Sequence, residues 1–117
     1  MIALQKGDVV LAFFPFSDLS QTKLRPAIVL WSSATNQDVT ICFITSQDIN
    51  DVSTDEFLLQ PSDPEFLGTG LKVVSKVRAT KIVSLERKLI TRRLGKLGNI
   101  HISTLNTKII QAFQLTS

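Results

Sequence analysis

The chain is predicted to fold as a small, strongly bent antiparallel sheet or barrel with one terminal helix, a mainly β structure. Three observations carry this. Short segments alternate with period two, turn-forming clusters separate them at close intervals, and a single segment of helical period closes the chain. A doubly wound fold would need helices between its strands, and the sequence lacks them. At 117 residues the length suits one compact domain, expected to span residues 1–117. With 44% apolar and 20% charged residues, the chain is too hydrophobic for intrinsic disorder.

The first strand is expected over Asp8–Phe14, a β-rich apolar run after Gly7, followed by a polar loop from Pro15 through Thr22. Leu24–Trp31 reads as the second strand, broken by the polar turn Ser32–Gln37. In Asp38–Ser46, Val39, Ile41, Phe43 and Thr45 fall on one face and Thr40, Cys42, Ile44 and Ser46 on the other, which makes the third strand the clearest. Asp55–Gln60 is a short fourth strand, and Pro61–Leu67 forms a helical turn ended by Gly68 and Gly70. Alternation resumes over Leu71–Val83, with Val73, Ser75, Val77 and Ala79 opposite a basic face of Lys72, Lys76 and Arg78. Lys81–Leu85 and Leu89–Leu94 continue as short strands or a bent one, with the connection near Glu86 and Arg87. Leu105, Ile109, Ala112 and Phe113 recur at helical spacing in Ser103–Leu115, with Ser103 as the expected N-cap.

Composition narrows the function classes. The apolar runs fall far short of the ~20 residues that span a bilayer. Asp8 interrupts the place of a secretory h-region, and the single Cys42 closes no intrachain disulfide, so a reducing cytoplasm is expected. The formal net charge of +3 conceals an asymmetry: three basic against seven acidic residues through Gln60, a net −4, and ten against three from Pro61 onward, a net +7. A basic half of that kind attracts a polyanion when its charges share a face; otherwise it is a solvated surface.

No glycine-rich phosphate loop occurs, and one His and one Cys far apart in sequence do not make a zinc site, so no cofactor and no metal is expected. Cys42 reads as a small buried apolar residue. His101, in the stretch before the predicted helix, has no partner motif for acid–base chemistry. Catalysis would therefore run on Arg, Lys, Ser, Thr or Asp.

Four segments in order carry a resemblance: Lys6–Val10, Leu24–Val29 after a polar loop, Ile44–Ser46, and Gly70–Lys72 through Ser75–Arg78. Together they resemble the MazF/PemK-like toxins over nearly the whole chain. The resemblance implies an SH3-like barrel, a homodimer, sequence-selective and metal-independent cleavage of single-stranded RNA, and a cognate antitoxin whose extended acidic tail covers the RNA surface. Arg25 and Thr45 match the family's active-site Arg and Thr, and Arg78 matches a further Arg of the PemK branch. The loop Ser17–Leu24 resembles the mobile loop beside the RNA path. Ser17, Lys23, Ser46, Ser75, Lys76 and Lys81 are the expected substrate contacts.

The chemistry fits such residues. The RNA 2′-hydroxyl attacks the adjacent phosphate, leaving a 2′,3′-cyclic phosphate and a free 5′-hydroxyl, and the enzyme must orient the nucleophile and stabilise charge on phosphorus. A guanidinium donates two parallel hydrogen bonds to phosphate oxygens and a hydroxyl adds a third. From the residues alone, Arg25 equally well ends a loop, Thr45 caps a turn and Arg78 belongs to a solvated face. One departure stands out. Where the PemK branch carries an Asp two residues after the matching Arg, this chain has Thr80, which keeps open a non-catalytic barrel that binds antitoxin or nucleic acid without cleavage.

Overall fold

The structure, a computed structural model, describes residues 3–14 and 23–115. Among them, β1 (Asp8–Phe14), β2 (Lys23–Ser32), β3 (Asp38–Thr45), β4 (Glu56–Leu59), β5 (Ser75–Glu86) and β6 (Ile90–Lys96) precede one helix, α1 (Asn99–Phe113). The strands form a single antiparallel sheet in the order β4-β5-β3-β2-β1-β6. None of the helices among the described residues is long and apolar enough to cross a membrane.

Period-two alternation gives the sheet two apolar faces. Val9, Ile28, Cys42, Ile44, Val77 and Ala79 meet Leu105 of α1, with Ile102 and Ile109 packed against them. Val10, Ala12, Phe14, Ala27, Val29, Val39 and Ile41 make a second cluster on the opposite face, where the Phe14 and Phe43 rings lie 4.6 Å apart. The Cys42 thiol is enclosed in the first cluster, and burial pushes its pKa up to about 12, which fits the inert role expected of it.

The curl comes from β5. Cys42 pairs with Ile82 and the next residue, Phe43, with Arg78, so a bulge absorbs the residues between. The first half of β5 pairs with β3 and β4 together, and the second half with β3 alone. Two predicted pieces are thus one bent strand, which begins at Ser75 rather than Leu71. The sheet is not closed into a barrel: β4 and β6 remain its edges. A 3₁₀ turn, Leu67–Thr69, packs on β6 instead, and Gly70 ends it at φ 75°. A Cβ at Gly70 would strike the Leu94 carbonyl, and one at Gly95 the backbone of Gly68 and Thr69, so the approach requires glycine on both sides.

The helix starts at Asn99, four residues before the predicted Ser103. Its cap is distant in sequence. The Glu65 carboxylate accepts the Ile100 N–H at 3.1 and 3.2 Å and the His101 N–H at 3.3 Å, and a Cβ on Gly98 would collide with it. Phe113, expected on the apolar face, stays 48% exposed. Glu65→Ala should cost about 1 kcal/mol, a fall of roughly 4 °C in a thermal melt; an unchanged Tm would show that the cap contributes nothing.

Candidate functional site

The end of β3 adjoins the starts of β2 and β5, because the three strands are antiparallel neighbours. Ala27, Phe43 and Arg78 share one row across them, and Phe43 packs on the second apolar cluster. Two residues further toward the strand end, the same alternation brings Arg25 on β2, Thr45 on β3 and Lys76 on β5. The face that is apolar in mid-sheet therefore turns polar at its end.

Two clefts meet at this edge and share Thr45 and Gln47. One, of about 250 Å³, is lined by Arg25, Thr45, Ser46, Lys72 and Ser75, with no acidic residue. The other, of about 400 Å³, is lined by Thr45, Asp48, Asp51, Ser53, Glu56, Lys76 and Arg78. The side chains of Arg25 and Lys72 are exposed and make no hydrogen bond or ion pair with another described residue. Their charge is free for a ligand. The Gln47 N–H donates to Thr45 Oγ1 at 3.0 Å, which fixes the oxygen and leaves the hydroxyl proton to be donated elsewhere.

The second cleft is electrostatically different. Glu56 receives Arg78 Nε at 3.0 Å through one oxygen, and the Lys76 ammonium at 3.3 Å and the Ser53 N–H at 3.0 Å through the other. Burial by itself would raise the Glu56 pKa, but the Ser53 hydrogen bonds, Arg78 and Lys76 more than offset it and hold the carboxyl below its ordinary value. Lys76 is only 5% exposed, and its ammonium also donates to the carbonyls of Asp48 at 3.1 Å and Asp51 at 2.9 Å. The expectation that Lys76 stands on an exposed basic face is corrected here: the segment after β3 folds over it. Lys72 lies ahead of β5, outside the strand on which it was placed.

Thr80 reveals where a carboxylate resides. Its hydroxyl donates to Asp55, whose other oxygen accepts the Ser53 hydroxyl at 2.8 Å. These two bonds, Thr80 first, hold the Asp55 pKa below its ordinary value. Position 80 itself carries no acid; the carboxylate its hydroxyl reaches is that of Asp55, the residue preceding β4, which lines neither cleft.

The remaining predicted contacts divide. Ser46 is exposed in the smaller cleft, and Ser75, buried there, donates its hydroxyl to the Val73 carbonyl at 2.9 Å. Lys23 and Lys81 are exposed but line neither cleft. Ser17 lies outside the described residues. His101 belongs to the first turn of α1, not to a loop; it is buried against Phe57, with Nε2 3.3 Å from Asp63, away from both clefts. Glu56 is the residue that motif reading passes over. Its signal was an acidic residue on a short strand pairing with a basic one, a cross-strand complementarity that appears only once the register Glu56↔Arg78 is known.

No curated protein sequence matches the chain. Among solved structures, an endoribonuclease in complex with its cognate antitoxin, from a Mycobacterial species, is similar at 20% identity with a TM-score of 0.72, covering 98% of this chain and 99% of that one. An endoribonuclease from a Mycobacterial species is similar at 21% identity with a TM-score of 0.69, covering 97% and 94%. At these identities the likeness establishes the fold. Residues 5–113 match the PemK-like, MazF-like toxins of type II toxin–antitoxin systems, and the chain belongs to that family.

Proposed function

We propose that the chain is a sequence-selective, metal-independent endoribonuclease that cleaves single-stranded RNA at the junction of the two clefts. The observation that carries this reading is the placement of Thr45 between an unengaged guanidinium, Arg25, and a held one, Arg78. With the scissile phosphate at Thr45, the 2′-hydroxyl gives its proton to solvent as its oxygen bonds to phosphorus, the bond from phosphorus to the 5′-oxygen breaks, that oxygen takes up a proton from solvent, and a 2′,3′-cyclic phosphate remains. Arg25 donates to the phosphoryl oxygens as their charge grows, and Thr45 adds its hydroxyl proton. Arg25 is a poor proton carrier, since its guanidinium stays charged. Lys72, Ser46 and Ser75 line the path on one side. Family membership supports a cognate antitoxin as the protein partner, and an extended acidic tail suits the cleft that holds Arg25 and Lys72.

Incubating the purified protein with single-stranded RNA in EDTA is expected to yield discrete fragments ending in cyclic phosphate. Intact RNA, in a protein that still binds an antitoxin, would select the non-catalytic alternative that Thr80 left open. The reading also includes a homodimer, because one 13.0 kDa chain is small to surround an RNA segment. Light scattering at micromolar concentration should give about twice that mass, and a fully active monomer would contradict it.

A further inference from the structure

Arg78 occupies the middle of a three-strand row, opposite Phe43 on β3 and Glu56 on β4. Its Nε edge is taken by Glu56 at 3.0 Å, while its terminal nitrogens donate no hydrogen bond to a described residue, and the side chain, 39% exposed, lines the cleft with Thr45. Glu56 is itself held from three sides, by Arg78, Lys76 and the Ser53 amide, and its side chain is 8% exposed. A carboxylate so confined has one orientation, and it passes that orientation to the guanidinium. It also cancels one of the two adjacent positive charges, and Asp48 and Asp51 line the same cleft, so what the cleft offers is a single directed pair of donors and not a diffuse attraction for any phosphate.

From this we infer that Glu56 is a positioning residue: it fixes Arg78 so that its two terminal nitrogens meet the phosphoryl group at Thr45 as charge develops there. The inference rests on the endoribonuclease reading above. Fixing a donor in advance acts on the transition state, so losing it should lower kcat and leave KM nearly unchanged.

Glu56→Gln keeps the shape but cannot serve Arg78, Lys76 and the Ser53 amide together. On a single-stranded RNA that the wild type cleaves, its kcat should fall about tenfold or more, with KM within about threefold. In an Arg78→Ala background the same change should cost less than about twofold, because its effect runs through Arg78. Arg78→Lys keeps the charge without the fork and should fall as far as Arg78→Ala. This variant decides the matter even if Glu56→Gln fails to fold. Wild-type kcat in Arg78→Lys, or equal losses from Glu56→Gln with and without Arg78, would overturn the positioning role alone. A wild type that does not cleave RNA would overturn the endoribonuclease reading and this role with it, and the Arg78 Nε–H resonance, sharp in the wild type and lost in Glu56→Gln, would then report the contact without a catalytic meaning.

Discussion

Arg25→Ala is expected to lower RNA cleavage at least ~100-fold, since one transition-state donor typically contributes about 3–4 kcal/mol. The melting temperature should not move, because Arg25 is exposed and holds nothing in the folded chain. The expected pattern separates chemistry from folding more cleanly here than at any other position in the site. Arg78 is tied to Glu56, and Thr45 accepts the Gln47 amide, so changes at either disturb structure as well. Cleavage rates measured under saturating RNA, alongside a thermal melt, would check it. Unchanged turnover would remove Arg25 from the site, and a lowered Tm would assign it a structural contact.

Lys76→Ala is expected to act in the opposite sense, on stability first. Removing the ammonium strips the buried Glu56 of one partner and leaves the Asp48 and Asp51 carbonyls without their donor. Breaking a buried ion pair of this kind costs about 3 kcal/mol, or roughly 10 °C in Tm for a domain of this size. The salt dependence of RNA binding by the folded variant should match the wild type. Lys72→Ala is the counterpart: Tm unchanged, and the slope of log affinity against log salt shallower by about 0.7, the loss of one phosphate contact. A stable Lys76→Ala protein with a shallower slope would restore Lys76 to the RNA surface.

The strands were legible where alternation is strict. β1 and β3 run within a residue of their predicted bounds, since one face of each meets the Val9–Leu105 cluster and the other the Val10–Phe14 cluster. Gly70 was legible as a stop, but the turn before it is displaced: it was expected over Pro61–Leu67, and the 3₁₀ turn runs Leu67–Thr69 with Gly68 inside it. The helix start was not legible. Its N-terminal amides are satisfied by Glu65, more than thirty residues away, and no local pattern encodes a cap of that range. β5 reads as two strands because its bulge interrupts the alternation that identifies a strand.

The sequence by itself determined the mainly β class, the positions of Arg25, Thr45 and Arg78, and the family resemblance that the match over residues 5–113 establishes. These depend on residue type, order and period, which are local properties. Only the tertiary structure decided which charges are free. Lys72, Lys76 and Arg78 are alike on paper, yet Lys76 is buried on two carbonyls, Arg78 is oriented by Glu56, and Lys72 alone is unengaged. Thr80, which stands where the PemK branch has an acid, is hydrogen-bonded to the carboxylate of Asp55, a residue on another segment. The physical reason is the same in each case. A side chain's charge is read from the sequence, but its availability is set by burial and partners, and both come from segments that the fold brings together across the sheet.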